Sequence, residues 1–424
     1  MDLTKEKNID VDKLDNDNRR KKKLQLKLRF NTHNDAKISS IFNYRQPESI
    51  SYNPYPIEKK SLYCYKNEND SYILFADKQI ELPSSCSIIF RARKSKKEYY
   101  ELISPILPGS YININYIDKL DKNLWFIFPT IDPSNKYENK NEEYYLREND
   151  IIKFSKKKYE VSKLCINNRK RIEKENVINE INKKNGSIFN LAEDRIKISQ
   201  DNKKDETKKF CKTCRGIISG HGNPLLELCE CEIYIHFECL IKLLVINENK
   251  TNNNVTTYEC ETFNCEKCYK PYPTKFQVKI EDNYKTFSII DQLEKPKDNV
   301  DYIIFESLTY IQKEKNIKNI YIIKLTEEKM TIGRKNENSI IIKDEKNTIS
   351  GEHAILKYDK EKGVTIINKG MAGTLVLIKD NIRLRVGEKI YLQKMNTIFK
   401  AEVIEKIKQG DEDKGDRDES NDDN

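Results

Sequence analysis

The feature that most constrains this chain is a set of eight potential metal ligands within one short central segment. The set reads Cys211-x2-Cys214, then Cys229-x-Cys231-x4-His236-x2-Cys239, then Cys265-x2-Cys268. Thiolate and imidazole are the ligands that Zn²⁺ prefers, and a Cys-x2-Cys turn brings two sulfurs to tetrahedral distance. Two zinc ions with four ligands each would use the set completely. Because the segment has few apolar residues, metal binding would supply much of its folding free energy.

The order of these ligands predicts a cross-braced finger in which the two sites interleave. Cys211, Cys214, His236 and Cys239 would bind the first ion, and Cys229, Cys231, Cys265 and Cys268 would bind the second. Neither site is contiguous in sequence, so the two would fold as one unit. Cys260 is an alternative to Cys265, although the Cys265-x2-Cys268 pair has the better spacing. The polar run 247–254 is interpreted as an exposed insertion.

The other cysteines and the N-terminus predict an intracellular protein. Seven of the 11 cysteines belong to the ligand set, and the remaining four are scattered along the chain. This is not a disulfide framework, so a reducing compartment is expected. The N-terminus has no charged-then-apolar signal segment, and the apolar run 240–246 is far too short to span a bilayer. The chain is therefore predicted to be soluble, cytoplasmic or nuclear, and without a membrane partner.

The formal net charge of +9 is unevenly spread along the chain. The positive charges are dispersed among glutamates without an aromatic-interleaved patch, so nucleic acid is not expected as a partner. The one dense basic cluster, 19–23, fits a nuclear-import signal or a contact with an anionic surface, and it fits a solvated basic arm at least as well. Residues 411–424 carry eight acidic and two basic side chains, and the tail is predicted to be disordered.

The pattern of short apolar runs and polar turns predicts a multidomain, mainly β protein. Short runs rich in β-branched and aromatic residues, such as 71–75, 124–128 and 364–367, are separated by polar turns, as in β-sandwiches and barrels. Trp125, the only tryptophan, is expected in a core. The predicted domains are 1–55, a disordered basic arm; 56–165, a β-rich domain; 166–209, a charged linker; 210–275, the zinc finger, a small α+β unit; 276–300, a second linker; 301–407, a second β-rich domain; and 408–424, the acidic disordered tail.

The central segment resembles the RING-CH (RING-variant) zinc finger. The resemblance rests on the Cys229-x-Cys231 pair, on Tyr-Ile-His at 234–236, and on Cys-Glu-Lys-Cys-Tyr at 265–269. It implies that the finger recruits a ubiquitin-conjugating enzyme and favours transfer from its thioester. Such a finger has no nucleophile, so no catalytic residue is expected and its role would be docking and alignment.

Carried over position by position, the resemblance implies that docking involves Thr213, Leu243 and the region after Cys268. The chain departs from the family at these positions. The family typically has a large aliphatic residue where Thr213 stands, a tryptophan where Leu243 stands, and an arginine where Tyr269 stands. The departures therefore concern the docking surface and not the zinc ligands.

A PHD-type finger is the alternative, because it shares the order of four cysteines, one histidine and three cysteines. Phe263, two residues before Cys265, fits the aromatic residue that such fingers place there. A PHD finger would bind a histone tail and catalyse nothing. The single residue between Cys229 and Cys231 favours RING-CH, since PHD fingers usually have wider spacing at this point.

Three clusters between residues 331 and 392 resemble the forkhead-associated (FHA) domain, a β-sandwich that binds phosphothreonine peptides. The clusters read Ile332-Gly333-Arg334, Ser350-Gly-Glu-His353-Ala354 and Gly370-Met-Ala-Gly373-Thr374. The resemblance implies that Arg334, Ser350 and Thr374 bind the phosphopeptide. A guanidinium can bind phosphate through charge-assisted hydrogen bonds, and a hydroxyl can donate one more. His353 is expected to brace the binding loops.

Two positions depart from the FHA pattern. Family members often have a basic residue after the serine, and here that residue is Gly351. The usual asparagine before the Gly-Thr pair, which holds the peptide backbone, is Ala372. Both differences should lower the affinity and change the preferred flanking residues.

A shorter stretch in the N-terminal half also resembles part of an FHA domain. Residues 146–154 (LRENDIIKF), followed by 158–161, resemble the end of an FHA domain and parallel residues 384–390 (LRVGEKI). No Gly-Arg or Ser-x-x-His motif accompanies them, so residues 56–165 are predicted to form a degenerate FHA-like β-sandwich without a phosphate site. The ordered combination of this sandwich, a RING-CH finger and an FHA domain resembles a family of protist, especially ciliate, proteins.

These interpretations predict a modular zinc protein that acts as a RING-type ubiquitin ligase. Its FHA domain would recruit phosphothreonine-containing proteins, and its finger would bring a ubiquitin-conjugating enzyme to them. The alternative is a non-catalytic adaptor or reader with a PHD-like finger, whose FHA domain binds phosphopeptides or serves only as a scaffold. The sequence contains no P-loop, nucleophile elbow or catalytic dyad.

Overall fold

The computed structural model describes two β-sandwiches and a metal-binding segment. The described residues are 22–32, 53–57, 61–67, 73–76, 86–94, 99–103, 124–128, 144–166, 209–217, 222–229, 231, 233–262, 265, 267–269, 272, 275–280, 283–297, 299–308, 316–344, 346–378, 382–394 and 397–407. Most of the predicted arm 1–55, nearly all of the linker 166–209, Phe263 and the tail 408–424 lie outside them. Among the described residues, no helix is both long enough and apolar enough to cross a membrane.

The elements fall into three groups along the chain. The N-terminal strands are β1 (Lys22–Thr32), β2 (Asn53–Ile57), β3 (Ser61–Asn67), β4 (Ile73–Ala76), β5 (Cys86–Lys94), β6 (Tyr100–Ile103), β7 (Leu124–Ile127), β8 (Ile151–Phe154) and β9 (Lys157–Cys165). The central elements are β10 (Leu225–Glu227), β11 (Tyr234–His236), helix α1 (Phe237–Leu243), β12 (Val245–Asn252), β13 (Val255–Thr262), β14 (Lys275–Ile280), β15 (Asn283–Ser288) and a 3-10 helix at Ile289–Gln292.

The C-terminal strands complete the fold. They are β16 (Tyr302–Ser307), β17 (Asn316–Lys324), β18 (Lys329–Gly333), β19 (Ile340–Ile341), β20 (Ala354–Asp359), β21 (Gly363–Asn368), β22 (Thr374–Leu377), β23 (Ile382–Leu384), β24 (Lys389–Lys394) and β25 (Thr397–Ile407). Within the described part of the chain α1 is the one α-helix, so the prediction of a mainly β protein is confirmed.

One large sheet runs through the whole molecule. It has twelve strands in the order β12-β13-β17-β16-β9-β8-β22-β7-β24-β25-β1-β2. A four-stranded sheet, β19-β18-β20-β21, and a five-stranded sheet, β23-β6-β5-β3-β4, supply the opposing layers. Two hydrophobic cores result, and we call the layers around them the C-terminal and the N-terminal sandwich.

Each sandwich has its own core, made of side chains from both of its layers. The core of the C-terminal sandwich includes Phe154, Val161, Ile303, Leu356 and Ile366. The core of the N-terminal sandwich includes Leu26, Phe90, Leu102, Leu392 and Phe399. Strand β7 lies between the two sandwiches, and Trp125 on this strand is 1% exposed, as expected for a core residue.

The two sandwiches exchange their hairpins. Hairpin β8–β9 belongs to the N-terminal half of the chain, yet β9 pairs with β16 and β8 pairs with β22 in the C-terminal sandwich. Hairpin β24–β25 lies at the C-terminal end, yet β24 pairs with β7 and β25 pairs with β1. Residues 56–165 therefore do not form a sandwich by themselves, and neither do residues 301–407. The predicted boundaries miss the exchange because each half contains a complete set of strand patterns.

Strand β16 explains why this part of the large sheet is buried on both faces. All six of its side chains are buried. Ile303 and Phe305 face the C-terminal core, whereas Tyr302 and Ile304 point to the opposite face, as the two-residue period of a strand requires. That opposite face is covered by residues around the 3-10 helix, Ile290 and Leu293 among them. The prediction that 276–300 is a linker is wrong, because this segment forms β14, β15 and a packed 3-10 helix.

The metal-binding segment is also joined to the large sheet. Hairpin β12–β13 falls in the long gap between Cys239 and Cys265, and β13 pairs with β17 along its whole length. The tip of this hairpin is exposed, as predicted for residues 247–254, but it is an ordered edge of the sheet and not a loose insertion. The segment is therefore fixed to the C-terminal sandwich.

Part of the predicted N-terminal arm is also ordered. Residues 22–32 form β1, which pairs with β25 over eleven residues, and 53–57 form β2. Leu26 and Leu28 on β1 are almost fully buried in the N-terminal core. The prediction of disorder for residues 1–55 is thus wrong for these two strands, because the alternating Leu residues on β1 are buried only once β25 provides the neighbouring strand.

Candidate metal centres and phosphopeptide site

The first candidate metal centre combines a turn with the start of a helix. Cys211, Cys214, His236 and Cys239 each offer one ligand atom, and all four atoms lie within 4.8 Å of one another. His236 ends β11 and precedes α1, which carries Cys239 in its first turn. The Sγ atom of Cys214 lies 3.2 Å from Nδ1 of His236. A turn, a strand and a helix thus bring their ligand atoms together at one point.

The second candidate centre has the same kind of turn. Cys229, Cys231, Cys265 and Cys268 place their sulfurs within 4.8 Å of one another. The two Cys-x2-Cys turns are equivalent: the N–H of Arg215 donates to the carbonyl of Cys211 (2.9 Å), and the N–H of Tyr269 donates to the carbonyl of Cys265 (2.8 Å). Both donors have positive φ angles, 62° for Arg215 and 56° for Tyr269. The structure therefore brings the eight predicted ligands together in the predicted cross-braced pairing.

The thiols in the two centres differ in pKa. Burial opposes ionisation of Cys211, but hydrogen bonds from backbone N–H groups outweigh it and lower the pKa to about 6. The same balance lowers the pKa of Cys265 to about 6. Burial and the neighbouring sulfurs raise the pKa of Cys239 to about 11, and desolvation is the main cause that raises the pKa of Cys229 to about 12. Each centre thus holds one thiol that ionises readily, and a bound cation would favour ionisation of the others.

The donor sets fit a soft or borderline metal ion. One centre offers three sulfurs and an imidazole nitrogen and the other offers four sulfurs, which are the compositions of structural tetrahedral sites. Cys260, the alternative ligand, belongs to neither group. It is fully buried in β13 near Glu306 and Lys318, and desolvation raises the pKa of its thiol to about 12.

The predicted docking residues of the finger are exposed. Thr213 lies in the first Cys-x2-Cys turn, and Leu243 ends α1 with 42% of its surface exposed. Three further large apolar side chains of this segment are exposed: Phe210, Ile217 and Tyr269. Only two other large apolar residues in the described part of the chain are exposed, so the finger carries most of them.

The candidate phosphopeptide site lies where β18 ends beside the loop that precedes β20. Arg334 follows β18 and is exposed, and its N–H donates to the carbonyl of Ser350 (3.3 Å). A Cβ atom on Gly333 would lie 2.1 Å from the carbonyl oxygen of Gly351, so only glycine allows this approach. Asn338, which follows the Gly333-Arg334 motif in the first FHA-like cluster, donates its amide to the carbonyls of Gly351 (2.6 Å) and Lys335 (2.8 Å).

His353 braces two loops of this site, as expected. Its side chain is fully buried, and Nδ1 accepts a hydrogen bond from the N–H of Ser350 (3.1 Å). Because Nδ1 accepts, Nε2 carries the proton and donates to the carbonyl of Gly373 (2.9 Å). A Cβ on Gly370 would lie 2.5 Å from this imidazole, which explains the glycine there.

Thr374, which was predicted to bind the phosphopeptide, lies inside the protein. It is fully buried, and its hydroxyl donates to Oδ1 of Asn368 (3.1 Å). Asn368 also donates to the carbonyl of Gly370 (3.0 Å) and accepts from its N–H (3.1 Å). Thr374 therefore holds the loop 370–373 in shape and does not face solvent. The Gly-Thr pattern identified the loop but could not reveal Asn368, whose partners come together only in the fold.

A second cation lies beside Arg334. A Cβ atom on Gly351 would lie 2.8 Å from Cε of Lys335 and 3.1 Å from its Cγ, so the stem of Lys335 passes over the glycine. Lys335 thus occupies the space that a side chain at position 351 would fill. Arg334 and Lys335 are both exposed, and neither forms an ion pair with a residue that the structure describes.

The comparison with known families agrees with this geometry. Residues 330–398 match the FHA domain family, whose members generally bind phosphothreonine-containing proteins. The match begins in β18 and ends at the start of β25, so it includes β24 and the first two residues of β25 and excludes the metal-binding segment. No match was found to a curated protein or to a solved structure. The chain therefore contains an FHA domain together with two Cys/His groups that could each hold a metal ion.

Proposed function

We propose that this chain is a zinc-binding modular protein that binds threonine-phosphorylated partners and brings a ubiquitin-conjugating enzyme to them, as a RING-type ubiquitin ligase. The observation that carries the first half is the pair of exposed cations, Arg334 and Lys335, beside Ser350, which form no ion pair with any residue that the structure describes. A phosphate at this point would accept charge-assisted hydrogen bonds from the guanidinium and a further one from the Ser350 hydroxyl. Lys335 would supply the positive charge that Gly351 cannot.

Zinc is the metal that we propose for the two Cys/His groups. Seven sulfurs and one imidazole nitrogen within two tetrads match the ligands of structural zinc sites. Elemental analysis of the purified chain should find two zinc ions per chain, and Cys268→Ser should lower this number. An iron content, or no metal at all, would contradict the assignment.

The ligase half of the proposal rests on the exposed apolar side chains around the finger. Leu243 stands at the end of α1, and Phe210 and Ile217 flank the first Cys-x2-Cys turn. Exposed apolar residues on a small metal-stabilised unit are typical of a protein-docking surface. Hairpin β12–β13 and the 3-10 helix hold the finger on the sheet of the C-terminal sandwich, so a bound partner and a docked enzyme would keep a fixed relation.

A non-catalytic adaptor is the second candidate. Thr213 favours it, because this exposed polar residue stands where a docking surface of the RING-CH type would have a large aliphatic side chain. Such an adaptor would hold a protein or histone peptide on the finger and transfer nothing.

Autoubiquitination with a panel of conjugating enzymes separates the two candidates. Leu243→Ala tests the docking surface without touching a metal ligand, and Lys242→Ala is a matched exposed control on the same helix. Activity that Leu243→Ala reduces and Lys242→Ala does not supports the ligase. No activity with any enzyme would favour the adaptor.

Phosphopeptide binding is tested with a phosphothreonine peptide library and the full chain. Arg334→Ala should weaken binding roughly a hundredfold. Lys360→Ala should leave binding unchanged, because Lys360 is exposed in the turn at the far end of β20. Equal binding by wild type and Arg334→Ala would refute the assigned site.

A further inference from the structure

The FHA-matching segment does not contain all of the strands that support its own binding loops. In the large sheet, β9 and β8 stand between β16 and β22. Both strands come from residues 151–165, far outside the matched range 330–398. The hairpin at the end of the matched range, β24–β25, of which the match includes β24 and the first two residues of β25, pairs instead with β7 and β1.

The hairpin β8–β9 contacts the loop 370–373 directly. The N–H of Ser155 donates to the carbonyl of Gly373 (3.1 Å), the same carbonyl that accepts from His353 (2.9 Å). The ring of Phe154 meets the imidazole of His353 edge to face, with 5.9 Å between centroids and 89° between planes. The residue that braces both loops is therefore itself packed by the N-terminal half.

The same hairpin also anchors the loop that carries Ser350. The ammonium of Lys157 donates to the carbonyl of Lys343 and lies 3.9 Å from the carboxylate of Asp344. Asp344 in turn accepts from the N–H of Ile349 (2.6 Å) and from the hydroxyl of Thr348 (3.0 Å). Both loops of the candidate phosphate site are thus held by consecutive residues of one turn, 154–157.

We propose that hairpin β8–β9 is a positioning element of the phosphopeptide site, with Phe154 and Ser155 as positioning residues, so that phosphopeptide recognition requires the N-terminal half of the same chain. This inference rests on the proposed phosphopeptide function. Neither residue would touch the phosphate. They would act through His353 and Gly373, which fix the orientation of Ser350 and of the loop opposite it.

The reciprocal exchange supports this role. Residues 146–154 and 384–390 have similar sequences, and each group leads into a hairpin that completes the sandwich of the other half. Because β24–β25 is engaged with β1 over eleven residue pairs, it is not available to the C-terminal sandwich. The N-terminal half, which lacks the phosphate motifs, therefore still contributes to the site through hairpin β8–β9, which pairs with strands of the C-terminal sandwich.

The first test measures phosphothreonine-peptide affinity in the full chain. Phe154→Ala should weaken binding by about tenfold or more, because it removes an aromatic contact. Ser155→Pro should do the same, because proline removes the N–H donor and cannot adopt the φ of 56° that this turn requires. Ser155→Gly is the conservative variant: glycine keeps the N–H and accepts the φ of 56°, so binding should be retained. Val161→Ala is the matched core control, because Val161 is fully buried in β9 but lies away from the turn at 154–157.

A further readout separates positioning from general destabilisation. The ¹⁵N-bound proton at Nε2 of His353 should shift in Phe154→Ala and stay in place in Val161→Ala, measured at a temperature where both remain folded. If wild type binds no phosphopeptide, the proposed function fails and the positioning role fails with it. If wild type binds and both Phe154→Ala and Ser155→Pro bind equally well, only the positioning role is overturned.

The second test asks which chain supplies the hairpin and does not depend on binding. Tyr302 and Cys165 are direct cross-strand partners, a separation that suits a disulfide. Mild oxidation of zinc-loaded Tyr302→Cys should join the β9 and β16 peptides within one chain, and the same variant with Cys165→Ser should not react. A disulfide between two chains would show that a second copy supplies the hairpin, and no disulfide would place the hairpin elsewhere. Either result overturns the inference.

Discussion

The two sandwiches of this chain have matching hairpins but different loops. In the C-terminal sandwich, the strand ends carry Gly333-Arg334, Ser350 and His353, which build a polar site around a close backbone contact. The N-terminal half contains no Gly-Arg or Ser-x-x-His motif, and its core is aliphatic and aromatic, with Phe90 and Phe399 in edge-to-face contact at 5.6 Å. The comparison teaches that the layered core makes the fold, whereas a few loop residues make the site.

The exchange of hairpins makes the two sandwiches depend on each other. The N-terminal half supplies strands to the C-terminal sandwich, which carries the candidate phosphate site. Because the two sandwiches share one sheet, we expect them to unfold together although the sequence suggested separate domains, and damaging one sandwich at a time tests this dependence.

The largest effect is expected from the N-terminal core. Phe399→Ala removes a fully buried ring and should lower the free energy of unfolding by about 3–5 kcal/mol. Because the sandwiches share one sheet, chemical denaturation should still show one transition for both. Two separate transitions, with the C-terminal sandwich unaffected, would contradict the coupling.

Glycine substitutions should distinguish a glycine that is required by a close contact from one that is required by a positive φ angle. Gly333→Ala in the C-terminal sandwich places a methyl group 2.1 Å from a backbone oxygen and should lower the free energy of unfolding by about 3 kcal/mol. The same substitution should also remove phosphopeptide binding. Gly387→Ala in the turn before β24 has open space and a φ of 81°, so only about 1 kcal/mol is expected. Thermal denaturation of both variants measures the difference, and equal losses would contradict the close approach at Gly333.

Arg334→Ala should show that peptide binding depends on the C-terminal sandwich and not on an exposed arginine of the N-terminal one. Loss of a charge-assisted contact to phosphate should weaken peptide binding by about 2–3 kcal/mol, roughly a hundredfold, with little change in stability. Arg93→Ala is the matched control in the N-terminal sandwich, where Arg93 is paired with Glu101 at 2.5 Å. Calorimetric titration with a phosphothreonine peptide should find no change for this control.

A smaller effect is expected at Lys335. Lys335→Ala should weaken phosphopeptide binding by about 1 kcal/mol, because a solvent-exposed ammonium contributes less than a guanidinium with fixed geometry. Adding Gly351→Lys to this variant should restore part of the affinity, because removal of the Lys335 side chain frees the space above position 351. An unchanged affinity in Lys335→Ala would remove Lys335 from the site.

The smallest effect concerns the turn between β20 and β21. The Asp359 carboxylate accepts from the N–H groups of Glu361 (2.8 Å) and Lys362 (3.0 Å), and these bonds hold its pKa below the ordinary 3.8. The stabilisation is therefore present above pH 3.8 and is lost as the pH falls through the lower, folded pKa. Asp359→Asn should cost less than about 1 kcal/mol at neutral pH, and denaturation curves of the two proteins should converge in acid.

Much of the candidate sites could be predicted from the sequence. The spacing of the eight ligands was sufficient for their pairing in two groups, because Cys-x2-Cys turns are local structures. The Gly333-Arg334 and Ser350-x-x-His353 patterns were sufficient to locate the segment that matches the FHA family and the loops of the candidate phosphate site. Thr374 was assigned to the peptide because its pattern is local, but its hydroxyl bonds to Asn368, a partner that the pattern does not contain.

The domain organisation could be predicted only in part. The linker assigned to 276–300 and the disorder assigned to 22–32 were both wrong, because these segments are polar on one face and become buried only against strands distant in sequence. Residues 247–254 were interpreted as an exposed insertion, yet nothing local indicated that they belong to a hairpin, β12–β13, that extends the sheet of the C-terminal sandwich.

The sequence by itself determined the ligand order, the β-rich texture, the loop motifs and the resemblance between the two hairpins. These depend on short-range chemistry and on the two-residue period of strands. Only the tertiary structure decided which hairpin completes which sandwich. The stretches 146–154 and 384–390 that lead into the two hairpins have similar sequences, so the sequence does not show that β9 rather than β25 pairs with β16. Choosing between them requires the packing of Phe154 on His353 and of Phe399 on Phe90, contacts that exist only once both cores have formed.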